Sequence, residues 1–228
     1  MIDAVMELDE QFHLLVIDDN SPDHTADAVR QKQDKYSDRL FLLEREGKLG
    51  LGTAYIRGFK WGLDKDYDYI YEMDADFSHP PERLHDLYRI LKNDEADVVV
   101  GSRYTKGGKV VNWPKDRLIL SYGASLYTRI LTWMNVKDPT AGFVGYKREV
   151  LETIDLSKIK FIGYAFQIEM KFAAWTLGFR IKETPITFSD REIGISKMHK
   201  GIVKEAIWGV IQMRWNSFFN SYTNKKSD

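Results

Sequence analysis

Cysteine is absent from the 228 residues. Disulfides, thiolate nucleophiles and Cys-ligated zinc are therefore excluded, and a reducing cytosol suits such a chain. A basic excess is missing too. Lys and Arg number 33 against 34 Asp and Glu, a formal net charge of −1. That balance removes the main argument for a general nucleic-acid binder, so no nucleic-acid partner is expected. No run approaches the ~18–20 uninterrupted apolar residues of a membrane span. The start, Met1-Ile2-Asp3-Ala4-Val5-Met6-Glu7, is acidic and lacks the basic region of a secretory signal. The five histidines show no H-x-x-x-H spacing, and no G-x-S-x-G elbow occurs. What remains is the composition of a folded domain, 43% hydrophobic and 29% charged. Much of the 13% aromatic content falls in the last third, which leaves room for an interfacial contact.

Hydrophobic patterning predicts strands alternating with helices. The first nine residues read as the end of an amphipathic helix, with Ile2, Val5 and Met6 on one face. Strands are expected at Phe12 to Ile17, Leu40 to Leu43, Tyr69 to Met73 and Asp97 to Gly101. Helices are expected from about Thr25 to Lys35, from the Gly47 to Gly52 turn to Leu63, and from Pro80-Pro81 through Leu91. The strand runs are continuous rather than alternating, as for strands covered on both faces. The second half reads as a helix from Trp113-Pro114 to Trp133, a strand at Phe143 to Tyr146 and a helix at Tyr164 to Leu177. An extended Phe179 to Phe188, a polar loop at Ser189 to Lys200 and a helix from Ile202 to Phe219 follow. No linker is visible. The expected class is α/β with a mostly parallel, Rossmann-like sheet and helices on both faces.

In such sheets ligands bind beyond the carboxyl ends of the strands. Two acidic turns occupy such ends, Asp18/Asp19 and Asp74-x-Asp76. The second pair suits Mg²⁺ or Mn²⁺ shared with substrate phosphates, or else caps a helix. Asp18 and Asp19 can read a nucleoside or cap the next helix, with Ser21 competing. One is expected to be structural and the other to face ligand. The glycines at 47, 50 and 52 are not a P-loop and read as close packing at a helix start. Arg103, Arg117, Arg191 and Lys197 lie near expected loops, where they can bind phosphate or stay solvated. His79 directly follows the acidic turn and is at most a support to it.

A resemblance enters on the combined motifs. They are Val16-Ile17-Asp18-Asp19-Asn20-Ser21-Pro22-Asp23, Gly50-Leu51-Gly52-Thr53-Ala54-Tyr55, Met73-Asp74-Ala75-Asp76-Phe77-Ser78-His79 and Gly101-Ser102-Arg103-Tyr104. Asn112-Trp113, Arg117-x-x-x-Ser121, Asp138-Pro139-Thr140-Ala141-Gly142-Phe143, Gly163-Tyr164-x-Phe166-Gln167 and Arg191-x-x-Gly194-x-Ser196-Lys197 continue it. Together they resemble dolichol-phosphate mannosyltransferases, polyprenyl-phosphate enzymes of glycosyltransferase family 2 with the A-type fold. The resemblance implies one domain over 1–228, with a nucleotide-sugar-binding half at 1–110, an acceptor half at 111–200 and an amphipathic tail at 201–228. It implies inverting, metal-dependent transfer of mannose from GDP-mannose to dolichyl or polyprenyl phosphate. UDP-glucose or UDP-N-acetylhexosamine as donor, and an inactive binding subunit, are the alternatives.

By position, the resemblance assigns Ile17 and Asp19 to the nucleoside. Asp74, Ala75 and Asp76 line the donor site, with Asp76 the principal metal ligand for Mg²⁺ or Mn²⁺. Ser78 stands where some relatives carry Gln and is a secondary metal contact that departs from the pattern. Arg191 and Lys197 close over the donor diphosphate. Arg103, Arg117 and Ser121 hold the acceptor phosphate, and Arg103 also borders the donor. Relatives begin with a strand ending in Pro-x-Tyr-x-Glu and then a helix. Here that strand is missing and Met1 falls inside that helix, so the sequence is expected to be an N-terminally truncated fragment or a mis-called start. The last helix carries Ile202, Val203, Ile207, Trp208, Val210, Ile211, Met213, Trp215, Phe218 and Phe219 beside Lys204, Arg214, Lys225 and Lys226. It either rests on a bilayer surface or packs on the core. The corresponding location is cytoplasmic, peripheral on the cytoplasmic face of a membrane.

Overall fold

The run Val98-Val99-Val100 shows how the layers arise. Successive side chains of a strand point to opposite faces. Val98 and Val100 join a cluster with Phe59, Tyr146, Phe166 and Phe172, while Val99 joins Leu87, Ile90, Leu91 and Phe143. All three valines are fully buried, as the continuous apolar run predicts. In the computed structural model, which describes residues 1–9, 11–190 and 200–224 and omits the side chains of 200–207, this strand is β4, Val98–Ser102.

A short helix α1 (Ile2–Met6) precedes β1 (Leu14–Asp18), α2 (Thr25–Gln33), β2 (Leu40–Glu44), α3 (Leu51–Asp64) and β3 (Tyr69–Glu72). A 3-10 turn at Pro81–Arg83 leads into α4 (Leu84–Lys92), then β4. After it come β5 (Lys109–Val111), α5 (Lys115–Thr132), β6 (Val144–Lys147) and α6 (Arg148–Thr153). The chain continues through α7 (Ala165–Thr176), β7 (Ile181–Pro185), β8 (Thr187–Ser189) and α8 (Lys200–Asn216). The expected elements are present within a few residues. The strand β5 and the helix α6 were not anticipated, being too short to show a period.

Among the described residues the strands form three groups: β1-β2, β3-β6-β4-β7 and β5-β8. The pairs β1/β2, β4/β7 and β5/β8 are parallel, whereas β6 runs antiparallel to both β3 and β4. Helices cover both faces of the central sheet. The α7 side lies with Phe59 of α3, and α4 lies opposite. Residues Ala165 to Ala174 of α7 are all buried, the polar Gln167, Glu169 and Lys171 among them.

One expectation fails. The residues Leu14 to Ile17 of β1 are only half-buried, not covered on both faces, and most of β2 and β3 are likewise. The reason is pairing: among the described residues β1 has a hydrogen-bonded neighbour on one edge alone, and β3 likewise. His13 Nδ1 and Tyr67 Oη, 2.6 Å apart, join the chain just before these two strands.

Candidate active site

The turn after β1 is built by its own side chains. Asp18 is buried and its Oδ2 accepts from Ser21 N at 3.0 Å, so this carboxylate is structural. The start of α2 is held instead by Asp23, whose Oδ1 accepts from Thr25 N at 3.2 Å and Thr25 Oγ1 at 2.6 Å. Asp19 forms a two-pronged pair with Arg45, Nε and Nη2 each 2.6 Å from a carboxylate oxygen. Arg45 Nη1 donates to Thr53 Oγ1 at 2.7 Å, in the first turn of α3. Ile17 packs toward α3, its Cδ1 only 3.0 Å from where a Cβ on Gly58 would lie.

The turn after β3 meets the same helix. Tyr55 Oη, two residues on from Thr53, donates to Asp74 Oδ1 at 3.4 Å. The two acidic turns therefore share one rim, at the N-terminal end of α3. Gly50 and Gly52 permit this. Gly50 has φ +100, which L side chains avoid, and a Cβ on Gly52 would sit 2.6 Å from Phe166 and 2.8 Å from Phe161 O. The expectation of close packing at a helix start is met.

Asp76 Oδ1 accepts from Ser78 N at 3.0 Å, and Asp74 N donates to His79 Nδ1 at 3.0 Å. An accepting Nδ1 puts the imidazole proton on Nε2. Burial lowers the His79 pKa against the pull of Asp74, so the ring is neutral at pH 7. It stacks on Phe143 with centroids 5.4 Å apart and holds the acidic turn. This is the supporting role that its place just after the acidic turn suggests.

A cavity of about 550 Å³ gathers the rest. Asp74, Asp76, Ser78, Arg103, Arg117 and Ser121 all line it. Asp19 and Ala75 do not, though Asp190, the last described residue before Arg191, does. Arg191 and Lys197 lie outside the described residues. Arg103 is buried and gripped by Asp138, with Nε 2.8 Å from Oδ2 and Nη2 2.7 Å from Oδ1, and by Thr140 Oγ1 at 2.7 Å. Burial pushes the Asp138 pKa up, but the guanidinium prevails and holds it below the ordinary value. Rings of Tyr104, Trp113 and Phe188 lie within 5.2 to 5.6 Å of the Arg103 guanidinium carbon. Arg117 stacks on Trp113 at 4.0 Å, and its Nη1 donates to Asp190 at 2.9 Å. Tyr104 Oη donates to Ser121 Oγ at 2.7 Å. Asp138 and Trp113 stood in quoted motifs, but only packing reveals that they hold the arginines.

The acidic turn suits a hard divalent cation. Ser78 Oγ is buried without a hydrogen-bond partner beside two carboxylates, an oxygen-only donor set. Among the described residues no group of three His, Cys, Asp or Glu could hold a metal by itself. An ion there would complete its shell from water and substrate phosphate, as Mg²⁺ does. The opposite part of the chemistry is apolar: Ile119, Leu120, Ala124, Tyr127, Ile168 and Val210 extend the cavity along α5, α7 and α8.

Comparison with known proteins places the chain in a family. Residues 1–155 match the model of glycosyl transferase family 2. An undecaprenyl-phosphate mannosyltransferase of Micrococcus luteus is 47% identical over 220 residues, covering 93% of this chain and 86% of that protein. A polyprenol monophosphomannose synthase of Mycolicibacterium smegmatis is 46% identical over 202 residues, covering 89% of this chain and 76% of that protein. Glucosyl-3-phosphoglycerate synthase of Mycobacterium tuberculosis, crystallised with Mn²⁺, UDP and phosphoglyceric acid, superposes with a TM-score of 0.66 at 17% identity, over 94% of this chain and 71% of that one. The same enzyme with Mg²⁺ and UDP gives 0.65 at 16% identity, over 93% and 72%. At such identities the structural likeness speaks for the fold alone.

Proposed function

The chain belongs to glycosyl transferase family 2, with the A-type fold and a glycosyltransferase's activity, and from that premise we propose that it moves mannose from GDP-mannose to a polyprenyl phosphate with inversion. One observation carries the reading: a single cavity joins an acidic turn, two arginines and an apolar wall. The first suits a metal-bridged diphosphate, the second a phosphate monoester and the third a lipid chain. The relatives' names, a mannosyltransferase to undecaprenyl phosphate and a polyprenol monophosphomannose synthase, support mannose and the lipid class.

Asp76, with Asp74 and Ser78 beside it, would hold Mg²⁺ or Mn²⁺. When bound, the ion neutralises charge that builds on the departing nucleoside diphosphate. Ile17, Asp19 and Ala75 would contact the donor. Arg191 and Lys197 would close over its diphosphate from the segment after Asp190. Arg103, Arg117 and Ser121 would orient the acceptor phosphate, with Arg103 also bordering the donor. That phosphate has a second pKa of about 6, so it is already a nucleophile at neutral pH and needs no protein base. The arginines hold it for in-line attack on the anomeric carbon, which inverts that centre.

A lipid acceptor implies work at a membrane surface. Among the described residues no helix is long and apolar enough to cross one. Large apolar side chains nevertheless stand exposed on α5 and α8, Ile119, Ile130, Trp208 and Trp215 among them. Arg214 bridges the two helices, 4.3 Å above Trp133 and 4.6 Å above Phe218. Such a face would rest on the cytoplasmic side of a bilayer.

Calorimetry with GDP and with UDP, each with Mn²⁺, tests the donor. GDP binding is expected, and Asp76→Ala should abolish its metal dependence. Binding of UDP alone would redirect the reading to glucose or N-acetylhexosamine. Silence toward both would leave a binding module without catalysis.

A further inference from the structure

Lys171 of α7 is fully buried, and no step set out above uses it. Filling its space does not require a lysine. Buried ion pairs can often be replaced by apolar side chains of similar volume without loss of stability. What distinguishes Lys171 from such a side chain is where its protons go.

An ammonium has three protons, and here each has an acceptor. Nζ donates to Gln167 O at 2.9 Å and Gln167 Oε1 at 3.2 Å, one turn back on the same helix, and to Ala141 O at 2.6 Å. The last bond leaves the helix and ties α7 to the loop from Asp138 to Gly142. The other end of that loop is tied to β7. Glu183 Oε2 accepts from Lys137 N at 2.8 Å, and Glu183 Oε1 accepts from Asp138 N at 3.0 Å. A carboxylate therefore holds the entry of the loop by its N–H groups, and an ammonium holds its exit by a carbonyl. Between them Ala141 N donates to Asp138 O at 3.3 Å and closes the turn.

The side chains of this loop grip Arg103. Asp138 accepts from Arg103 Nε, Nη2 and the Arg103 backbone N, and Thr140 Oγ1 accepts from Nη2. Thr140 is itself oriented by Asp138, donating from Oγ1 to Oδ1 at 3.2 Å. The charges that act on Lys171 follow the same line. Burial lowers its pKa to about 8, Glu72, Asp138 and Glu183 act against that fall, and Arg103 adds to it. The group is therefore charged at pH 7. Glu72 stands on β3, two residues before Asp74. Lys171 thus has an anion on the strand that leads to the acidic turn and another on the loop that holds the arginine.

We propose that Lys171 is a positioning residue, which fixes the loop from Asp138 to Gly142 against α7 and so sets the place of the Arg103 guanidinium at the cavity. Its share in the reaction rests on the reading of Arg103 above as a holder of the acceptor phosphate. The lysine acts through the Ala141 carbonyl and reaches neither substrate itself. A guanidinium displaced by ~1 Å misaligns the phosphate for attack, a loss on the order of 100-fold.

Nuclear magnetic resonance and kinetics of the full chain test this, using Lys171→Met alone and combined with Glu72→Gln. The double change removes both buried charges, so it carries the test if the single variant does not fold. In the unmodified chain the Arg103 Nε–H, identified by its loss in Arg103→Lys, should exchange slowly with water. Both variants should speed that exchange about tenfold. With GDP-mannose and a polyprenyl phosphate, kcat/KM for the acceptor should fall on the order of 100-fold in both, while GDP affinity with Mn²⁺ stays within about twofold. Denaturant unfolding separates this from a merely structural role. Adding Glu72→Gln should recover stability lost in Lys171→Met, but neither the slow exchange nor the turnover. Slow Arg103 exchange in folded Lys171→Met, recovery of exchange and turnover by Glu72→Gln, or equal weakening of GDP and acceptor would overturn the proposal. If the unmodified chain transfers no sugar to the lipid phosphate, the proposed function falls by itself, and the Arg103 exchange still decides the positioning.

Discussion

Arg103 sits among aromatic rings, and Asp138 is what makes that burial tolerable. Removing one partner of a buried ion pair leaves the other charge uncompensated, which costs about 3–5 kcal/mol. Asp138→Asn should lower stability by that order in urea unfolding. Adding Arg103→Met should recover part of the loss, since the orphaned charge goes too. A second buried pair lies beneath the cavity. Burial raises the Glu72 carboxyl to about 7, and burial lowers the Lys171 ammonium to about 8. Between the ordinary carboxyl value of 4.5 and about 7, the native chain keeps a proton on Glu72 that the unfolded chain has lost. The stability contributed by this group therefore falls as pH rises through that window. Glu72→Gln should flatten the curve there, measured as a smaller difference in unfolding free energy between pH 5 and pH 7.5. Neither pair was legible in the sequence. Asp138 and Arg103 stand 35 positions apart, and no period or propensity links them.

At the scale of elements, patterning served well where an element was long. The helices α3, α5 and α7 fall where their apolar spacing puts them, because a buried face must repeat every 3.6 residues. The last helix has two readings, a membrane face or a core face, and its described side chains show core packing on one side and exposed apolar residues on the other. Val210 and Met213 are buried in the core, while Trp208, Ile211 and Trp215 lie exposed. The contact of α3 with α7 at Gly52 decides where the acidic rim meets the cavity. Gly52→Ala would drive a methyl into Phe166 and the Phe161 carbonyl. Overpacking of this kind costs about 1–3 kcal/mol. The variant should unfold at correspondingly lower denaturant, and its donor binding should weaken as α7 shifts.

For the whole molecule, the question is how a lipid phosphate reaches the cavity. The exposed residues of α5 and α8 predict adsorption to a bilayer. Trp215→Ser with Phe219→Ser should reduce flotation with anionic vesicles about tenfold while leaving GDP binding unchanged. Loss of both, or of neither, would speak against a membrane face. Point substitutions are the right test, because deleting 201–228 would also strip Val210, Met213 and Tyr222 from the core.

The sequence by itself determined the α/β class, the acidic turns at strand ends and the family resemblance. These are local signals, set by periodicity, turn chemistry and motif spacing. Only the tertiary structure decided that Asp18 is structural, that Arg45 engages Asp19, and that Arg103, Arg117 and Ser121 share one cavity with Asp74 and Asp76. It alone also decided that His79 and Asp138 hold the site together. The reason is physical. A hydrogen bond or ion pair depends on distance in space, and distance in space between remote residues exists only after the sheet and helices have packed.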